Sequence, residues 1–206
     1  MGLFGRIGKG EPYDWLVVGL GNPGEKYART RHNVGEETVR LLAERRGVSL
    51  KGGRDNALVA ECRFTSGSGE QRAVLAFPIT FMNDSGQAVS ALVRRYRIET
   101  PRQLIVVQDE LDLPPGQLKV KAGGGLAGHN GLRSINQHLK SQDFLRVRIG
   151  VGKPDSKDVG KGHVLSKVQK SERELLDVKV VEAADAVELI IASGVDAAMQ
   201  RYNGKP

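Results

Sequence analysis

The sequence predicts an α/β protein: a single-domain three-layer sandwich with a mixed, partly parallel central sheet flanked by helices. Three observations carry this expectation. Two short runs, Trp15–Leu20 (WLVVGL) and Gln103–Gln108 (QLIVVQ), are almost wholly apolar, the pattern of strands covered on both faces. Stretches with period-two and period-3.6 spacing alternate along the chain between these runs and after them, as in layered α/β folds. The chain has 206 residues, which fits one domain with a core large enough to need no disulfide or metal staple. The expected domain spans residues 14–201, with residues 1–13 as a flexible leader and 202–206 as a tail.

The elements follow in order. Trp15–Leu20 is the first strand. Asn33 stands where a helix from Val34 would be capped, Glu36 completes a capping-box-like pair, and Gly47 ends the helix. Ala57–Phe64 and Arg72–Phe77 read as strands joined across the Ser/Gly turn at 66–69. After Ser85, the residues Ala88, Val89, Leu92, Val93 and Tyr96 have helical spacing. Gln103–Gln108 is the second buried strand, and Gln117–Ala122 and Phe144–Ile149 alternate as strands. Leu132, Ile135 and Leu139 mark a short helix between them. Gly150–Gly162 (GVGKPDSKDVGKG) reads as a long polar loop. Ser171 and Glu174 have capping-box spacing at the start of a helix running to about Ala192, with Leu176, Val180, Ala184, Val187 and Ile191 on its buried stripe.

Composition removes several function classes. No apolar run approaches the ~20 residues of a membrane span, and residues 1–12 lack the apolar core of a signal peptide. The single cysteine, Cys62, cannot form an internal disulfide and sits in a strand pattern. A cytoplasmic protein is therefore expected. A formal charge of +7 is compatible with a polyanionic partner without requiring one. Gly19–Gly24 (GLGNPG) matches a dinucleotide-binding glycine motif, but the polar stretch after it lacks a helix-packing stripe, and no strand ends in an acidic residue about 20 positions on. Gly123–Gly128 resembles a phosphate loop but has His129 and Asn130 where Lys and Ser/Thr are required. There is no CxxC, HExxH or G-x-S-x-G, and His32, His129, His138 and His163 lack ligand spacing. No metal and no cofactor are expected. A hydrolase built from these residues would activate water with a side-chain base, histidine being the default near neutral pH.

Ligands of open α/β sheets bind at the carboxyl ends of parallel strands. The first apolar strand ends at Asn22 and the second at the acidic cluster Asp109–Asp112. Both are candidate site positions, although Asn and Asp are also ordinary turn residues. Period two puts Lys119 and Lys121 on one strand face, and Arg146 and Arg148 on another. If the two strands are neighbours, four cations form either a phosphate-binding patch or a solvated sheet face. The loop lysines Lys153, Lys157 and Lys161 add charge nearby in sequence.

Four segments in order, residues 18–35 (VGLGNPGEKYARTRHNVG), 80–86 (TFMNDSG), 109–116 (DELDLPPG) and 123–132 (GGGLAGHNGL), resemble the signatures of the bacterial-type peptidyl-tRNA hydrolase family. The resemblance covers Trp15 to about Gly152, with compatible spacing through the C-terminal helix. It implies a monomeric enzyme that hydrolyses the ester between a peptide and the 3′-terminal ribose of tRNA. His32 then corresponds to the general base and Asp109 to the partner that orients it. Asn22 and Asn130 correspond to amides flanking the reaction centre. Asn83 corresponds to the residue that bonds the peptide main chain, with Met82 and Tyr27 lining the groove. Lys119, Lys121 and Arg148 correspond to a clamp on the tRNA 5′-phosphate and acceptor stem. Asn33, Asn83 and Asn130 also fit helix caps, and His129 reads as structural or as support for its neighbour. Gln108 stands where the family commonly has histidine, and Leu126–Ala127 makes the glycine loop less glycine-rich than usual. Two other functions remain open on the sequence: a non-catalytic RNA-binding relative of the same fold, and a nucleotide-binding oxidoreductase.

Overall fold

A computed structural model describes residues 11–67, 69–153 and 160–204. In chain order the elements are β1 (Trp15–Gly19), α1 (Val34–Arg45), β2 (Lys51–Gly52), β3 (Ala57–Ser66), β4 (Gly69–Pro78), α2 (Ser85–Arg95), β5 (Leu104–Glu110), β6 (Leu118–Ala122), α3 (Asn130–Leu139), β7 (Leu145–Gly150), α4 (Gly160–Leu165), α5 (Lys170–Ser193) and α6 (Val195–Tyr202). Short 3-10 turns cover Glu25–Tyr27, Arg31–Asn33, Met82–Asp84 and Pro101–Gln103.

The strands form one seven-stranded sheet in the order β2-β3-β4-β1-β5-β7-β6. β4, β1, β5 and β7 run parallel, whereas β2, β3 and β6 pair antiparallel at the two sides. The two apolar strands, β1 and β5, are adjacent at the centre. Alternate residues of β1 serve two cores. Val17 packs in the layer beneath α1 and α5, and Leu16, Val18 and Leu20 pack in the layer beneath α2 and α3. The α5 stripe Leu176, Val180, Ala184, Val187 and Ile191 is buried in the first layer. Chain order reverses around β1, with β4 on one side and β5 on the other. Such a reversal opens a crevice at the carboxyl ends of the strands.

Two glycines set the geometry at that end. A Cβ on Gly19 would lie 2.1 Å from the Gly35 carbonyl oxygen, and one on Gly35 would lie 2.3 Å from that of Val107. Without side chains there, the start of α1 lies directly on β1 and β5. Leu20 N donates to Val107 O at 3.0 Å, and Glu36 N donates to Leu20 O at 3.1 Å. The turn Arg31–Asn33, immediately before α1, is thereby held over the end of β5.

The elements differ from the sequence reading in several places. α5 begins at Lys170 with no side-chain cap, so the Ser171–Glu174 box does not form. α4 starts inside the expected polar loop, whose residues 154–159 lie outside the described residues. Gly194, at φ 88°, ends α5 and α6 follows. Contacts are also made just outside residues 14–201. Tyr13 stacks edge-on against Tyr96 with ring centroids 5.0 Å apart, while residues 1–10 lie outside the described residues. Asn203 bonds both the N–H and the C=O of Val120 at 2.8 Å, satisfying backbone groups of the edge strand β6 as a neighbouring strand would.

Candidate active site

A cleft of about 570 Å³ opens at the carboxyl ends of β1 and β5. Its lining includes Asn22, Tyr27, His32, Met82, Asn83, Asp109 and Asn130, residues drawn from separate turns and elements. Lys119, Lys121 and Arg148 lie elsewhere, on the β6–β7 part of the sheet.

Asp109, the sixth residue of β5, is buried, and its Oδ1 is approached by His32 Nδ1 at 2.8 Å and by His129 Nε2 at 3.0 Å. Burial alone would raise the Asp109 carboxyl pKa, but the charges and hydrogen bonds of the two histidines hold it well below the ordinary carboxylate range. An ionised carboxylate only accepts hydrogen bonds, so both facing ring nitrogens carry protons. His129 fits this independently: its Nδ1 accepts from Gly131 N at 3.1 Å and from Leu132 N at 3.4 Å, leaving its ring proton on Nε2. Neutral His32 likewise has its proton on Nδ1 and a lone pair on Nε2. Burial lowers the His32 pKa, while the Asp109 charge and hydrogen bond raise it, and the net direction is upward.

The potential ligand atoms of His32, Asp109 and His129 lie within 4.8 Å of one another, although the histidines lack a metal-ligand spacing in sequence. A metal there would need the lone pair of His129 Nε2 while Nδ1 is already accepting two backbone N–H groups. The ring would have to be imidazolate. The hydrogen bonding therefore fits a proton-bearing centre better than a cation site.

Asn22 is fixed by two neighbours. Its Oδ1 accepts from Met82 N at 2.8 Å, which assigns the amide orientation and leaves Nδ2 as the available donor. Its backbone is held by Asn33, whose Oδ1 accepts from Asn22 N at 3.0 Å and whose Nδ2 donates to Asn22 O at 2.9 Å. Asn33 makes no side-chain capping bond; it braces Asn22 and bonds Glu36 Oε2 at 2.7 Å. Asn130 is exposed in the first turn of α3, whose cap is His129. Asn83 is exposed and donates to Asp84 Oδ2 at 3.0 Å. Phe81 meets Tyr27 edge-on across the cleft mouth, with centroids 6.4 Å apart, and Met82 lies buried beneath. The supporting roles of Asn33 and His129 were not distinguishable in the sequence from capping and packing. The available signal was adjacency to His32 and Asn130.

Arg31, next to His32, is buried and forms a two-pronged bond with Glu172 of α5. It also bonds His163 O at 3.0 Å and Ser166 Oγ at 3.1 Å. It thereby ties the histidine-bearing turn to α5 and to α4, which contributes Val164 and Leu165 to the cleft.

β6 and β7 are neighbours, with Lys119 opposite Arg148 and Lys121 opposite Arg146. The expectation of four surface cations needs correction. Arg146 is 1% exposed and is directed onto the carbonyls of Gly123, Gly124 and Gly125. Arg148 pairs at 2.9 Å with Glu110, which is 3% exposed as a side chain. Among the described residues Lys119 and Lys121 have no ion-pair partner. Lys153 pairs with Asp112, and Lys157 and the side chain of Lys161 lie outside the described residues. The two glycine motifs also lose their nucleotide reading. Immediately after the first, Glu25–Tyr27 forms a single 3-10 turn in place of the helix that a dinucleotide-binding motif opens. In the second, carbonyls face a cation, the wrong polarity for a phosphate loop.

A family model described as peptidyl-tRNA hydrolase matches residues 16–206. This chain belongs to the peptidyl-tRNA hydrolase family. A peptidyl-tRNA hydrolase from Leifsonia xyli subsp. xyli is 51% identical over 189 residues, covering 92% of this chain and 96% of the relative. One from Frankia casuarinae is 49% identical, covering 92% and 93%. The crystal structure of peptidyl-tRNA hydrolase from Acinetobacter baumannii superposes with a TM-score of 0.83 at 38% identity, covering 95% of this chain and 98% of that one. Ala127 lines the cleft, as does Asp109, the residue after Gln108. Gln108 is buried beside Asp109 and has no hydrogen-bond partner for either amide atom among the described residues. Ala127, at φ 49°, occupies a left-handed position in the glycine loop.

Proposed function

We propose that this protein hydrolyses the ester of peptidyl-tRNA, with His32 as general base and Asp109 as its orienting partner. The observation that carries this reading is the His32 Nδ1–Asp109 Oδ1 bond of 2.8 Å in a cleft at the carboxyl end of the sheet, in a chain of this family. With Nδ1–H donated to Asp109, the Nε2 lone pair of His32 removes a proton from water. The water oxygen attacks the ester carbonyl carbon. Asn22 Nδ2 and the amide of Asn130 donate to the oxygen on which negative charge develops. Collapse of the tetrahedral intermediate breaks the bond to the ribose oxygen, which takes the proton back from the His32 imidazolium. The products are free tRNA and a peptide with a free carboxylate. Neither metal nor cofactor is required.

Asn83 is the candidate contact to the peptide main chain, and Tyr27, Phe81 and Met82 are the wall against which peptide side chains pack. Recognition of main chain suits an enzyme acting on many peptides. Lys119, Lys121 and Arg148 are assigned to the tRNA phosphates, with Arg148 sharing its charge with Glu110. No helix among the described residues is long and apolar enough to cross a membrane, and the reading includes a monomer acting in the cytoplasm. The test is release of free tRNA from purified N-acetyl-aminoacyl-tRNA, with aminoacyl-tRNA lacking the acyl group as comparison. Turnover of the acylated substrate supports the assignment. Tight binding without release would instead favour a non-catalytic RNA-binding protein.

A further inference from the structure

We infer that Arg146 is a positioning residue: its buried guanidinium sets the path of the glycine loop that delivers His129 and Asn130 to the cleft. This rests on the proposed hydrolase reading, since it assigns a role within the same site. Arg146 makes no ion pair among the described residues, unlike Arg148 two residues on, which has Glu110. A buried cation is costly unless its donors are satisfied. Here three consecutive backbone carbonyls accept from its two terminal nitrogens, while Nε has no hydrogen-bond partner among the described residues. Nη1 donates to Gly125 O at 2.7 Å, and Nη2 donates to Gly124 O at 2.6 Å and to Gly123 O.

Three successive carbonyls converge on one cation because Gly123 and Gly124 both have positive φ, 67° and 87°, a region where L side chains are strained. The loop is also anchored at its start, where Gly123 N donates to Phe144 O at 3.1 Å. Only Leu126–Gly128 separate the last held carbonyl from His129, the cap of α3 and second donor to Asp109. Arg146 thus acts on the reaction through the loop and touches no reacting atom. Its planar fork spreads several N–H groups over consecutive acceptors, whereas a lysine ammonium would concentrate three donors at one point.

The experiment compares wild type with Arg146→Lys, Arg146→Met and Gly124→Ala on N-acetyl-aminoacyl-tRNA. The last variant leaves Arg146 in place but puts a Cβ at a positive φ, 2.9 Å from the Lys121 side chain. Arg146→Met is expected to lower kcat at least about 10-fold while KM stays within about threefold, with Arg146→Lys intermediate. Gly124→Ala should move kcat in the same direction. In 15N NMR spectra the Gly131 and Leu132 amides, which donate to His129 Nδ1, should shift in each variant. A raised KM with unchanged kcat would make Arg146 a phosphate contact and overturn the inference, as would unchanged Gly131 and Leu132 signals in the folded variants. Should Arg146→Met fail to fold, Arg146→Lys and Gly124→Ala decide. If wild type itself releases no tRNA, the hydrolase reading fails, while the amide signals still judge whether Arg146 positions the loop.

Discussion

His32 is subject to opposing influences whose balance sets its working range. Burial favours the neutral ring, the Asp109 carboxylate favours the imidazolium, and the second prevails, leaving the pKa above the ordinary 6.5. A general base acts only when neutral. The acidic limb of kcat/KM is therefore expected to have its midpoint above 6.5, checked against a histidine NMR titration; a midpoint at or below 6.5 would contradict the pairing. The stability contribution has the opposite sense. A raised folded pKa stabilises the fold fully below about 6.5 and loses that contribution as pH rises through the folded value. The protonation state that favours catalysis is thus the one that gives up this stabilisation. His129 bears on a second expectation. Because its Nδ1 accepts backbone N–H groups and its Nε2 proton faces Asp109, turnover should survive a strong chelator once magnesium needed by the tRNA is restored. Loss of activity reversed only by zinc would contradict the hydrogen-bonded centre. At this scale the residue types were legible in the sequence but some of their partners were not. Asn33-x-x-Glu36 has capping-box spacing, whereas the two side chains bond each other and Asn33 braces Asn22.

Strand alternation revealed which face each basic residue occupies, but alternation carries no information about depth. Arg146 and Arg148 both lie on the face opposite Leu145 and Val147. Only the three-dimensional packing shows that the first is buried on backbone carbonyls and the second paired with buried Glu110. The two kinds of cation should respond differently to removal. Lys119→Ala and Lys121→Ala are expected to raise KM for the tRNA substrate and reduce the salt slope by about one phosphate contact each, with melting temperature nearly unchanged. Arg148→Ala should also lower stability, by about 2–3 kcal/mol, because it strands the Glu110 carboxylate. Kinetics across a salt series, together with thermal melts, separate these cases. Equal salt slopes in wild type and the lysine variants would remove them from the tRNA contact. β1 and β5 were legible because strands covered on both faces carry unbroken apolar runs, Leu16–Val18 in the first and Leu104–Val107 in the second. α4 was not: its Gly, Lys and His residues match a polar loop, and it packs against the Arg31–Asn33 turn through tertiary contacts, with Arg31 bonding His163 O and Ser166.

Across the whole molecule, the candidate site is assembled by joining segments distant in sequence. Gly35 lets α1 sit on the ends of β1 and β5, which brings His32 to Asp109 across 77 residues of sequence. An ionic layer holds the same turn from its other side. Arg31 engages Glu172, and Arg173 engages Glu37 and Asp177. The central place of β1 and β5 in the sheet could be anticipated from their apolar runs, but the strand order around them and the pairing of Arg31 with a residue on α5 could not, since charged pairs leave no periodic trace. The assembly serves one proposition, that a histidine held by an aspartate activates water against the ester of peptidyl-tRNA. Its most direct test is the single-turnover rate of tRNA release from N-acetyl-aminoacyl-tRNA by wild type and His32→Ala, at enzyme concentrations that saturate the substrate. Removal of the base should slow release at least about 100-fold while tRNA affinity changes little. A His32→Ala enzyme that releases tRNA at close to the wild-type rate would contradict the assignment of His32 as the base.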